Sequence, residues 1–308
     1  MVKKLFVKSL SVCTLLMFLL ACNSGLPKNE AVERKESPSY GTIYISVDES
    51  FKPVIEEQLK VYKSSFPETN IIATYKSEVA CFKDLQNDST RLIVTARDLS
   101  KPELKFYKEK LQYYPMQSIM AYDAVAVITN HSSEDSVYSL AQLTSLLTAD
   151  KAGVTVMMDG KNATSTVRFV QDKLLKGKAF GKNVVASTSS QAVIDFVSNH
   201  ANAIGFVGLS WVGDNYDVKQ LEQLKKIKIA LLECQLCDKG TFAKPSQATI
   251  TYGQYPLARP LYCIVKENST GLGTGFYNFM SLERGQLIFR RAFLAPAKIG
   301  FQKRTTKI

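Results

Sequence analysis

Asp159-Gly160-Lys161-Asn162-Ala163-Thr164-Ser165-Thr166-Val167-Arg168-Phe169 is the stretch on which the reading of this chain turns. The apolar run before it, Val154-Thr155-Val156-Met157-Met158, reads as a buried strand that breaks at Asp159-Gly160. Beyond the three consecutive hydroxyl residues, Val167, Val170, Leu174 and Leu175 recur at helical spacing. A strand that turns into a helix through small hydroxylated residues leaves backbone N–H groups unpaired at the positive end of the helix dipole. With side-chain hydroxyls beside them, such a turn suits an oxyanion. Thr164 as a plain helix cap is the simpler alternative, and this stretch alone leaves both open.

The surrounding chain repeats the pattern. Gly41-Thr42-Ile43-Tyr44-Ile45-Ser46-Val47 is β-rich, and a helix bearing Val54, Ile55, Leu59 and Tyr62 follows. Between them lies Asp48-Glu49-Ser50-Phe51-Lys52-Pro53, with Ser50 at a capping position and Pro53 in the first turn. Residues 71–75 and 92–95 read as strands, with a helix over 79–85 between them. Arg97-Asp98-Leu99 then leads into Ser100-Lys101-Pro102-Glu103, the pattern of a capping box. Extended segments are expected over 113–122 and 124–129, a capped helix from Ser139, strands at 183–186, 203–207, 227–232 and 261–265, and helices over 191–198, 276–281 and 285–293. Strands alternating with helices predict an α/β fold of mostly parallel sheets flanked by helices. Ligands in such folds bind beyond the carboxyl ends of strands. The turns at 48–51, 97–100 and 159–166 can therefore face one cleft, bringing together Ser50, Arg97, Asp98, Thr164, Ser165 and Thr166. Gly271-Leu272-Gly273-Thr274-Gly275 lacks dinucleotide spacing and reads as a loop before a helix.

The chain has 308 residues, enough for one large or two ordinary domains. Its first residues are a targeting segment: Lys3, Lys4 and Lys8 precede an apolar run from Leu10 to Leu20 that is too short to span a membrane stably. The run ends Leu19-Leu20-Ala21-Cys22, similar to the lipobox of bacterial lipoproteins, in which cleavage leaves a lipid-modified cysteine first. Residues 1–21 are thus expected to be a signal peptide, Cys22 the lipid attachment site, and the polar segment to residue 39 a flexible tether. This puts the mature protein at the cell envelope, anchored to a membrane and facing the periplasm or exterior. The formal charge of +11 falls to +8 once the three leader lysines are removed, an excess that favours small anions. No basic run interleaved with aromatics points to nucleic acid.

Of six cysteines, Cys234-Gln235-Leu236-Cys237 has redox or half-metal-site spacing. It follows a strand rather than opening a helix, and His131 and His200 are the only histidines. A short-loop disulfide or two plain thiols is the expectation, and no metal site, cofactor or catalytic set is expected. An exported thiol–disulfide protein using Cys234 and Cys237 is the competing class.

Five segments resemble the phosphate-binding protein of bacterial phosphate ABC transporters, a type II periplasmic-binding-protein fold. They are Glu49-Ser50-Phe51-Lys52-Pro53, Arg97-Asp98-Leu99-Ser100, Thr164-Ser165-Thr166, Asn202-Ala203-Ile204-Gly205-Phe206-Val207 and Tyr255-Pro256-Leu257-Ala258-Arg259-Pro260-Leu261-Tyr262. The resemblance covers residues 40 to 300 and implies two hinge-joined lobes, 40–121 with 253–308 and 122–252. It implies that Ser50, Phe51, Asp98, Thr164, Ser165 and Thr166 hold inorganic phosphate or a related oxyanion for an ABC permease or a sensory partner. The chain departs from the family in two places. Met157 and Met158 stand where the family often has arginine, and Ser165 replaces its central glycine. Arg168 and Arg97 are the candidates to supply the missing guanidinium.

Overall fold

The computed structural model describes residues 36–148, 153–160 and 164–299. The expected signal peptide, Cys22 and the tether to residue 35 lie outside them. No helix among the described residues is long and apolar enough to cross a membrane.

Strands β1 (Tyr40–Asp48), β2 (Glu68–Lys76) and β3 (Thr90–Thr95) are linked by helices α1 (Lys52–Ser65) and α2 (Glu78–Leu85), and pair in parallel with β1 central. Side chains of β3 alternate between faces as a strand requires. Leu92 and Val94 join a core built from β1, α1 and the C-terminal helices, whereas Ile93 joins Cys81, Phe82, Leu85, Leu99 and Tyr107 behind the sheet. Helix α3 (Lys101–Leu111) opens with the expected capping box: Ser100 accepts from the Glu103 N–H, and Glu103 accepts from the Ser100 N–H.

The segments expected at 113–122 and 124–129 are one strand, β4 (Met116–Asn130). Asp123 interrupts the apolar pattern and looks like a break in the sequence, but it is fully buried and its Oδ2 accepts from an arginine of the neighbouring strand. The second core is assembled from β5 (Val137–Tyr138), α4 (Leu140–Thr148), β6 (Thr155–Asp159), α5 (Ser165–Val170), β7 (Val184–Ser187), α6 (Ser190–Asn199) and β8 (Ala203–Gly208). Strand β6 pairs in parallel with both β7 and β8, so its carboxyl end opens onto the turn at Asp159. Short elements follow: α7 (Val218–Leu224), β9 (Ile227–Ile229), β10 (Leu231–Glu233), β11 (Phe242–Ala243) and α8 (Gln247–Thr251). Cys234 and Cys237 form a disulfide in the loop after β10, with Cys234 buried.

Strand β12 (Ala258–Val265) returns antiparallel to β4 and carries the chain back to the first core. Helices α9 (Leu272–Ser281) and α10 (Glu283–Arg291) pack there, before β13 (Ala295–Pro296) pairs with β4. The result is a two-lobed α/β fold. Parallel strands lie in each lobe, and β4 and β12 cross antiparallel between one core and the other.

Candidate functional site

Three hydroxyls and one guanidinium meet where the lobes face each other. Ser50 lies in the turn after β1, a 3₁₀ turn over Glu49–Phe51. Ser165 and Thr166 open α5, after β6. Arg259 is near the start of β12 and is fully buried. Its Nη2 donates to Ser50 Oγ at 3.0 Å, and its Nη1 donates to Ser165 Oγ at 3.0 Å and Thr166 Oγ1 at 3.4 Å. Its Nε donates to Asp123 Oδ2 at 2.9 Å, which fixes the fork in place. Phe51 lies beneath, with the guanidinium carbon 5.0 Å from the ring centroid. Planar donors fixed this way suit the oxygens of a carboxylate or phosphate.

Carboxyl groups are interleaved with these donors. Asp48 Oδ1 accepts from the Ser50 N–H at 3.0 Å and the Ser50 hydroxyl at 2.5 Å, and Asp48 Oδ2 accepts from the Ser165 N–H at 3.3 Å. Asp159 Oδ2 accepts from Thr166 at 2.9 Å. Glu49 Oε2 accepts from the Ser190 hydroxyl at 2.6 Å, so the first turn of one lobe meets the start of α6 in the other. Burial pushes the Asp48 carboxyl up, against the pull of Arg259, and burial likewise raises Glu49 against its bonds from Ser190. Asp159 is pushed up to about 8, first by burial and then by Asp48 and Glu49, with Arg259 opposing.

The lobes also touch through backbone. Ser210 Oγ donates to the Ser50 carbonyl at 2.9 Å, and Trp211 Nε1 donates to the Glu49 carbonyl at 3.3 Å. Gly208 lies against the same turn: a Cβ there would stand 2.7 Å from Ser50 O and 3.2 Å from Arg259 Nη2. Its φ of −62° is open to any residue, so the requirement is for space alone.

The residues expected from sequence divide into two groups. Ser50, Phe51, Ser165 and Thr166 come together. Thr164 caps α5 by accepting from the Val167 N–H at 3.2 Å, and it donates to the Asp159 carbonyl at 2.8 Å, so it supports the cluster from behind. Asp98 stands apart: it is exposed, near Tyr262, in a turn organised by Arg97, which grips Glu103 at 2.8 and 2.9 Å and stacks on Phe82. Arg168 does not supply the guanidinium of the cluster. Its Nε is engaged by Glu78 Oε2 at 2.6 Å, an ion pair between the lobes. Arg259 does supply it, although the sequence reading gave it no role beyond its segment. The signal was present, because a lone arginine in the apolar run of a strand needs a buried partner. Asp48, Glu49, Asp123 and Asp159 were likewise missed, since a carboxylate beside an expected anion site looks repulsive until its protons are counted, and Ser190 was missed as an ordinary helix-start serine. Among the described residues no group of three His, Cys, Asp or Glu side chains is arranged to hold a metal ion.

The family model of the PBP superfamily domain matches residues 32–283. The chain belongs to that family. Among its curated relatives, PBP-superfamily residues of this chain are 25% identical over 228 residues to the phosphate-binding protein PstS of Pseudomonas aeruginosa, covering 67% of this chain and 66% of that one. The chain thus spans just under two thirds of that relative's length. It is 22% identical over 267 residues to protein SphX of Synechococcus elongatus, covering 80% and 75%. Two solved structures share the PBP fold: a Clostridium perfringens protein crystallised with phosphate, at a TM-score of 0.69 and 21% identity over 84% of this chain and all of that one, and an ABC-type phosphate transport receptor of Vibrio cholerae, at 0.60 and 15% over 83% and 100%.

Proposed function

We propose that this protein captures inorganic phosphate between its two lobes and delivers it to an ABC permease, held at the membrane by lipid on Cys22. The observation that carries the reading is the Arg259 fork, which gathers Ser50 from one lobe and Ser165 and Thr166 from the other. An oxyanion accepts from these same donors and draws the lobes onto itself. Relatives named for phosphate binding and transport support phosphate over other oxyanions. The lobes are 40–121 with 253–308 and 122–252, and they part about the strands that cross between the two cores. Binding, not catalysis, is the activity.

Calorimetry against phosphate, sulfate and molybdate tests this reading. Phosphate should bind most tightly, and a protein that binds none of the three removes oxyanion capture from consideration. Lipid labelling tests the anchor separately: Cys22→Ser should carry no label, and normal labelling of the variant would place the anchor elsewhere.

A further inference from the structure

Ser190 connects two acids through one hydrogen. Its hydroxyl, fully buried at the start of α6, faces Glu49 Oε2 at 2.6 Å and Asp159 Oδ2 at 3.3 Å. A hydroxyl donates once, so with both carboxyls ionised one of these contacts sets oxygen lone pairs against each other. A proton on one carboxyl removes the conflict, because Ser190 Oγ then accepts from that acid while donating to the other. The far oxygen of Asp159 repeats the pattern. Thr164 Oγ1 lies 2.8 Å from the Asp159 carbonyl and 3.1 Å from Asp159 Oδ1, again with one hydrogen for two acceptors. A proton on Asp159 Oδ1 would serve Thr164 but not Ser190, so the proton of the Ser190 bridge belongs on Asp159 Oδ2 or Glu49 Oε2.

The contact that joins the two acids, Glu49 to Ser190, exists only when the lobes are together. Glu49 belongs to the turn after β1, and Asp159 and Ser190 belong to the opposite lobe. We propose that closure of the cleft requires one proton shared by Asp159 and Glu49 through Ser190, so that anion capture takes up that proton from solvent. The inference rests on the cleft being the binding site, and it adds a regulation of that site by pH.

The charges facing the pair come from every neighbouring element. Asp48 and Lys52 stand on the side of the first turn, and Glu78 on α2 is paired with Arg168 on α5. Arg259 on β12 is partly neutralised by Asp123 on β4. Around Asp159, Asp48 and Glu49 are the repelling neighbours and Arg259 the opposing cation. Burial of like charges favours the protonated acid. With the Asp159 carboxyl raised to about 8 while the lobes are together, the closed form holds the proton at neutral pH, and parted lobes lose the burial that raises the carboxyl, so closing takes the proton up from solvent below about pH 8.

Trp211 offers a readout that needs no ligand. It is the chain's single tryptophan, it is buried, and its Nε1 donates to the Glu49 carbonyl across the cleft. In the full-length protein without anion, its emission should shift to the red between pH 6 and 10 as the lobes part. Asp159→Asn, which carries an N–H where the acid carried its proton, should keep the emission of the closed form throughout. Glu49→Gln should do the same from the other side, and serves if the first variant fails to fold. Phosphate affinity of the parent should fall as pH rises between about 5 and about 8, by up to tenfold per pH unit, the slope of one proton per anion, and the slope should flatten in either variant. Parent emission that is flat over this range, or a variant that follows the parent's transition, overturns the proposal. If phosphate does not bind while the emission change occurs in the parent and is lost in the variants, the proton switch stands and the choice of phosphate falls.

Discussion

The hydroxyls of Ser50 and Ser165 lie 3.1 Å apart although 115 positions separate them in the chain. Each lies in the turn after a strand that ends at the cleft, and Arg259 bonds both. The pair therefore measures closure directly, and each member can be removed without touching either hydrophobic core.

Ser165→Ala removes a donor that an anion would use. Hydrogen bonds to charged groups contribute about 1.5–3 kcal/mol, so phosphate affinity should fall by about 10- to 150-fold with little change in melting temperature. Thr164→Ala should behave differently. It removes the cap of α5 and should cost about 1 kcal/mol of stability, read by urea denaturation. Equal effects of the two variants on affinity alone would show that the division between binding and support is misplaced.

Arg259→Met should abolish measurable binding and also destabilise the fold. It leaves the fully buried Asp123 carboxylate without its partner, a change that costs about 3–5 kcal/mol when a buried pair is broken. The double variant Asp123→Leu with Arg259→Met should recover much of that stability while binding stays lost. Calorimetry and denaturant melts of both proteins separate the two roles. Recovery of binding in the double variant would show that Arg259 acts only as a structural partner.

Asp159 should make the protein less stable as pH rises. Its carboxyl is raised in the folded state from 3.8 to about 8, so the folded protein holds more protons than the unfolded chain between those values. The stability linked to that proton is fully present below pH about 4 and is lost as pH rises through about 8. Urea melts from pH 5 to 9 should show the decline in the parent and a shallower one in Asp159→Asn. A steeper decline in the variant would reverse the assignment.

Gly208→Ala should hold the lobes apart. The added Cβ meets the Ser50 carbonyl and the Arg259 fork, both tied down by other bonds, while the backbone angle accepts alanine without strain. Phosphate affinity should drop by more than tenfold, the loss expected from about 1.4 kcal/mol of misplaced contacts. Small-angle scattering with saturating phosphate should report a more open particle than the parent. An equally compact variant with parental affinity would mean that the turn can move aside.

By itself the sequence determined the alternation of strands and helices, the caps at Thr164 and Ser100, and the hydroxyl turns after β1 and β6. These follow from local chemistry: periodic apolar residues choose the element, and capping residues choose its start. Only the tertiary structure decided which turns share a site. Arg97-Asp98 and Asp159-Thr166 look alike as strand ends, yet the first is drawn into a helix cap by Glu103 and the second faces Ser50. The choice between Arg168 and Arg259 was also tertiary, because a guanidinium goes to the carboxylate that long-range packing places beside it. Glu78 claimed Arg168, and Asp123 oriented Arg259. The clustering of acids was the least legible feature. Asp48, Glu49 and Asp159 come from distant segments, and only burial beside one another gives them a proton to share.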